Sequence, residues 1–233
     1  MKNQLSCLLR VATATVILFA LAALTAVAQG PEIKEQIQQS AAANKERLAH
    51  YTWQETQTVS LKGEVKGTTL YQVRTGPDGK PQKTDLSLPS PPPSGGRMKQ
   101  HVVAKKKNEY KDYAQQIAQL VQTYVPPNGE KLKAAFQQGN GAISMAGPDA
   151  VQVKFTNYNM QGDSMMLVFN TADKSIQSVN VSSYLNNDPS DAATCTAKFS
   201  KLPDGTNYQS SATVDGVKKQ LTIQIQNANY QLL

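Results

Sequence analysis

Cysteine is almost missing from this chain, and the consequences are large. Its 233 residues include two, Cys7 and Cys195. Only Cys195 lies beyond the amino-terminal apolar run, so the body of the chain has no partner with which to form an intramolecular disulfide, even in an oxidising compartment. Cysteine-based zinc sites are excluded by the same count. Neither an HExxH run nor an EF-hand loop is present. Histidine is as scarce, with only His50 and His101, both distant in sequence from Cys195. GxSxG is absent too, so no activated nucleophile with a base beside it can be read from the pattern. Tryptophan occurs once, at Trp53.

What is present begins with an export signal. Lys2 and Arg10 are the only charges before Glu32, and Val11–Val27 is an Ala-, Leu- and Val-rich run closing on Ala26-Val27-Ala28. A positive start, a short apolar stretch and small residues at −3 and −1 make a cleavable secretory signal over residues 1–28, cut between Ala28 and Gln29. The run is short for a membrane span, which needs about 20 apolar residues. Cys7 precedes it, whereas a lipidated cysteine would follow it. The formal charge of +7 becomes +5 once Lys2 and Arg10 leave. That is too modest and too dispersed for a nucleic-acid binder, but it suits a negatively charged envelope surface.

Gln29–Leu233 is enough chain for a single domain. Pro31–Ala49 reads as an amphipathic helix opened by a proline. Tyr51–Leu61, Val65–Thr75 and Gln82–Leu86 alternate as strands. Pro77 and Gly79 supply the turn between the last two. Residues 88–98, rich in Pro, Ser and Gly, form no ladder or helix and read as a mobile loop. Lys99–Tyr124 carries apolar residues at helical steps. Asn128 N-caps a further helix, Gly129–Gln138, with Gly139 as its stop. From Gly141 onward the pattern is all strand, with Asp215-Gly216 the strongest hairpin signal. In Met165–Phe169 both faces are apolar, which predicts cover on both sides. Strands, then helices, then strands predict an α+β fold: one large curved antiparallel sheet, or half-barrel, with about three helices on its concave side.

Chemistry is sparse. Cys195 falls on the apolar face of a strand and reads as a buried, inert thiol. Asp188 and Asp191 flank a turn but do not make a calcium cage, and the chain calls for no metal and no cofactor. Glu55 and Glu64 are conceivable as paired carboxylates. Glu55 shares a face with Trp53, where it is either a functional group in a cavity or the partner of a lysine at the sheet edge. Arg97, Lys99, Lys105, Lys106 and Lys107 are the densest basic run, either a solvated helix start or a dock for anionic lipid headgroups. Tyr51, Trp53, Tyr71, Phe155, Met165, Leu167 and Phe169 lie on apolar strand faces, as core or as the lining of an apolar cavity.

The stretch from Asn44 through His50-Tyr51-Thr52-Trp53 to Leu61-Lys62-Gly63-Glu64 resembles the start of a family of exported bacterial proteins common in soil acidobacteria. Gly76-Pro77-Asp78-Gly79-Lys80, Gly162-Asp163-Ser164-Met165 and Leu202-Pro203-Asp204-Gly205-Thr206-Asn207-Tyr208 extend the resemblance. It implies no activity and no site residues. In element order alone, the chain is also similar to the LolA/LolB-like periplasmic lipoprotein carriers, which implies a curved sheet closed by helices around an apolar cavity. The expectation is therefore an exported, non-enzymatic protein, periplasmic or extracellular, that holds a lipid or acyl chain. The alternative is an envelope interaction module with no small ligand.

Overall fold

The computed structural model describes residues 31–77, 79–86 and 97–233, with the backbone alone over 97–107. The signal segment, its Ala28/Gln29 cleavage site and residues 88–96 of the expected loop lie outside the described residues, whereas Arg97 and Met98, the last two of that loop, open a helix. Helix α1 spans residues 31–48. The chain divides within it into two units, one ending at Gln36 and the other running from Ile37 to Leu233.

In the second unit, strands β1 (Tyr51–Leu61), β2 (Glu64–Thr75) and β3 (Pro81–Asp85) come first. Helices α2 (Arg97–Gln122) and α3 (Gly129–Gln137) follow. Seven strands complete the chain: β4 (Gly141–Gly147), β5 (Ala150–Thr156), β6 (Ser164–Asn170), β7 (Ser175–Tyr184), β8 (Ala192–Lys201), β9 (Asn207–Gly216) and β10 (Leu221–Leu232). All ten form one curved, open sheet in the order β3-β2-β1-β10-β9-β8-β7-β6-β5-β4, and every pairing is antiparallel. The expected α+β architecture is what the chain adopts.

The order explains the helices. Strands β3 and β4 are consecutive in sequence yet occupy opposite edges, so the chain between them must traverse the sheet. Ten strands span about 43 Å at the usual interstrand spacing. The 26 residues of α2 reach about 39 Å as a helix. From its middle to just past its end, the chain of α2 is tied to successive strands on the way. Lys219, before β10, pairs with Glu109. The hydroxyl of Tyr113 donates to Asp191, before β8, at 2.6 Å. That of Tyr124 lies 2.9 Å from Ser183 of β7 and donates to Asp163, before β6. On α3, Phe136 packs edge-on against Phe155 of β5 at 4.9 Å. Asn128 caps this helix as the sequence predicts, its side chain accepting from the backbone of Glu130 and Lys131.

The sheet buries one face. Val151, Val153 and Phe155, then Met165, Leu167 and Phe169, then Ala193, Cys195 and Ala197 alternate with more exposed neighbours. Two expectations need correction. Met166 and Val168 are half-buried, not covered, because no second layer among the described residues lies on the outer face. There they stand beside Lys154 and Asn180, and Gln152 and Ser178. Asp215-Gly216 is not a two-residue hairpin either. Both residues belong to β9, and the connection is Val217–Gln220, with Gly216 opposite Leu221. A two-residue hairpin loop with both residues at positive φ is found instead at Lys62-Gly63 (φ 53° and 80°) between β1 and β2, the geometry that matches strand twist.

Cys195 is buried, and burial, aided by Asp215, pushes its thiol up to about 12. Ionisation is disfavoured in the fold, so the contribution to stability is full below the thiol's ordinary value and declines as pH rises toward about 12. In a protein with Cys7 replaced by Ser, the native thiol is expected to resist alkylation. Stability measured by urea unfolding should begin to fall near pH 9, before the tyrosines ionise. Cys195→Ala should flatten that first part of the fall. An identical slope in the variant would remove Cys195 as its source.

Candidate functional site

The inner face of the sheet differs between its two ends. Toward β5 and β6 it is filled. Phe155, Met165, Leu167 and Phe169 are all essentially inaccessible, with Phe155 and Met165 direct partners across the ladder. Phe136 and Tyr158 close over Phe155 at centroid distances of 4.9 and 5.6 Å. Toward β10, β1 and β2 the face is less covered. Strand β1 is buried at Tyr51, Trp53 and Glu55, whereas Gln57, Val59 and Leu61 on the same face are only half-buried. Tyr71 opposite Glu55, and Ile225 opposite Gln57, are half-buried as well.

Aromatic rings concentrate at this second end. Trp53 stacks on Tyr230 of β10, with centroids 5.4 Å apart and planes 11° apart. Tyr51 meets the same ring edge-on at 6.4 Å, and Tyr208 of β9 lies 4.4 Å away. The arrangement depends on an irregularity. The β1–β10 register shifts between Thr52 and Gln54, and Asn229 takes a positive φ of 55°. The extra residue in β10 re-aims its last turns, as a bulge does, and places Tyr230 against the indole. Burial raises the pKa of the Tyr230 hydroxyl, with Tyr208 and Glu55 adding to the effect. Tyr51 donates to Asp204 at 2.7 Å, and that bond leads the causes raising its own pKa. Asp204 is lowered chiefly by the Thr206 backbone N–H.

Polar groups sit among the rings. Glu55 is 6% exposed. Gln57 donates to its Oε1 at 2.6 Å, and Lys83 of the edge strand β3 forms an ion pair with the same oxygen. Of the two sequence-level readings of Glu55, the lysine partner at the sheet edge is the contact observed. The Lys83 ammonium also lies 5.7 Å from the Tyr71 ring centroid, within cation–π range. Glu64 is elsewhere: it stands opposite Leu61 at the far end of β1, exposed and paired with Lys66. The two glutamates are therefore about 20 Å apart along the strand, beyond the separation of a glycosidase pair.

The remaining candidates disperse. Asp188 and Asp191 share Lys218, and no group of potential metal ligands occurs among the described residues. His50 is exposed, its carbonyl accepting the backbone N–H of Leu233 at 2.9 Å. Arg97, Lys99, Lys105, Lys106 and Lys107 fall on α2, but their side chains, like that of His101, lie outside the described residues. A separate shallow groove of about 360 Å³ runs between α2 and the β7–β8 turn, past Leu120, Met160 and Tyr184.

Sequence reading thus brings Tyr51 and Trp53 into one cluster, with Tyr71 two strands from β10 on the same face. It misses Tyr208, Tyr230, Asn227 and Lys83. One signal for Tyr230 was available. Leu221, Ile223, Ile225 and Asn227 keep a strict two-residue phase, and Tyr230 breaks it by one, as a residue beyond a bulge does.

Neither a family model nor a curated protein matches the chain. Among solved structures, it is similar to a LolA-superfamily protein from Nitrosomonas europaea. Identity is 10% and the TM-score 0.42, covering 85% of this chain and 93% of that one. A DUF1329-family protein from Desulfovibrio piger is similar at 8% identity and a TM-score of 0.39, over 85% and 92% of the respective chains.

Proposed function

We propose that this is an exported carrier, periplasmic or extracellular, that holds a lipid or acyl chain against the concave face of its sheet and catalyses no reaction. The observation that supports this most is the change in packing along that face. Apolar and aromatic residues of β10, β1 and β2, namely Val59, Leu61, Tyr71, Ile225 and Tyr230, stay half-buried, whereas the β5–β6 end is closed by its own side chains. An alkyl chain laid along the half-buried residues removes apolar surface from water at about 25 cal/mol per Å².

In this reading Tyr51, Trp53 and Tyr71 contact the ligand, and Phe155, Met165, Leu167 and Phe169 are the wall toward which its chain extends. The basic residues Arg97, Lys99, Lys105, Lys106 and Lys107 bring the carrier to an anionic membrane surface, each contributing about 1 kcal/mol there. No helix among the described residues is long and apolar enough to cross a membrane, which suits a protein that visits a bilayer from outside it.

Native mass spectrometry tests this on protein taken from its own envelope fraction. A mass increment that organic extraction removes is the expected result. An unliganded mass, together with no displacement of a fluorescent fatty-acid probe, overturns the reading.

A further inference from the structure

Two buried polar atoms face the same part of the sheet without a partner. The indole Nε1–H of Trp53 donates no hydrogen bond and the Oδ1 of Asn227 accepts none among the described residues. Trp53 is 6% exposed. Leaving such groups unpaired costs about 1–3 kcal/mol each, so their presence on one face of two paired strands calls for an account. They are neighbours by construction. Asn227 is the direct ladder partner of Glu55, and Glu55 is two residues from Trp53 on the same face of β1. Asn227 also has a fixed orientation. Its Nδ2 donates to the carbonyl of Gln209 at 2.9 Å, which turns Oδ1 the other way.

The three groups differ in what they seek. Trp53 offers a donor and needs an acceptor. Asn227 offers an acceptor and needs a donor. Glu55 receives Gln57 and Lys83 on Oε1, so Oε2 is its remaining acceptor, and Lys83 already balances its charge. A hydroxyl satisfies both unpartnered atoms at once, because it donates and accepts. A carboxylate or phosphate has acceptors only and satisfies Trp53 alone. An ammonium satisfies Asn227 only.

From this geometry we infer that Trp53, Asn227 and Glu55 form a recognition site for a neutral, hydroxylated head group, a glycerol or a sugar, carried by an amphiphile. The inference rests on the carrier reading above and gives that ligand its polar end. The rings of Tyr230 and Tyr71 flank the site and supply the flat apolar surfaces that sugar and glycerol C–H groups pack on.

Trp53 is the chain's only tryptophan, so its emission reports this site alone. The full chain is titrated with four amphiphiles of one chain length: 1-lauroylglycerol, dodecyl glucoside, dodecanoate and dodecyltrimethylammonium. The expected result is a shift in Trp53 emission with one of the two neutral ligands, and binding of it about tenfold tighter than of either charged ligand. Which of the two binds tighter separates a glycerol head from a sugar head. In Trp53→Phe, followed by native mass spectrometry, the preferred neutral ligand should weaken about three- to tenfold. Dodecanoate should bind that variant as it binds the wild type, which also shows that the fold is intact. Equal binding of all four ligands, or a Trp53→Phe variant that keeps the preference, overturns the head-group site and leaves the carrier reading standing. Binding of none overturns both.

Discussion

Asp163→Ala is expected to cost about 4 kcal/mol of folding stability, more than any other single change considered for this chain. Asp163 is almost wholly buried at the entry to β6, and its carboxylate gathers four donors. The backbone N–H groups of Tyr158, Asn159 and Met160 lie 2.6, 2.9 and 2.9 Å from its oxygens. The fourth donor is the hydroxyl of Tyr124, which is fully buried at the end of α2. One side chain therefore closes the β5–β6 turn and anchors the helix above it. Burial first, and then the bond to Asp163, raises the pKa of Tyr124, as expected for a phenol that donates to a carboxylate out of water. Alanine leaves the three backbone donors unsatisfied and Tyr124 with Ser183 as its remaining partner. Asparagine should fall between, since its amide can accept on one atom only. Urea denaturation measures the loss, and amide exchange at Tyr158–Met160 should speed up in step with it. A loss under 1 kcal/mol for the alanine variant would show that the turn holds itself.

Replacing Gly216 by valine is expected to cost about 3 kcal/mol, roughly 6–12 °C in the thermal midpoint of a chain of this size. The reason is steric. A Cβ at Gly216 would stand 2.2 Å from Cδ1 of Ile117 and 2.8 Å from the Tyr113 ring. Ile117 and Tyr113 are buried on α2, so either must shift within packed surroundings to make room. Gly216→Ala should show a smaller version of the same loss. Ile117→Val removes the Cδ1 atom, so the Gly216→Ala/Ile117→Val pair should lose less than the two single changes together. Strict additivity in that cycle would mean that Gly216 does not set the approach of α2.

Gly216 also marks the boundary of what a linear reading delivers. In sequence, Asp215-Gly216 between alternating segments is a hairpin signal, and the glycine reads as turn chemistry. In the fold, the same glycine is a flat spot on β9 that lets a helix close in. Nothing local separates these uses, because the atom that matters belongs to Ile117, 99 residues earlier. Trp53 and Tyr230 make the same point. Each is visible as an aromatic residue on a strand, yet their stacking requires the first and last strands to pair.

The individual elements were legible because they are local. Strand β1 coincides with the expected Tyr51–Leu61, since a two-residue alternation of side chains is written directly into neighbouring positions. The cap at Asn128 was legible for the same reason: its donors lie two and three residues away. The α+β class followed from the order of such segments. Only the tertiary structure decided that β10 joins β1, that β3 and β4 become opposite edges with helices spanning between them, and that Lys83 reaches Glu55. Those outcomes depend on contacts between residues far apart in the chain. Their loop-closure entropy is recovered only by the shared burial of many side chains together, so no window of sequence carries them.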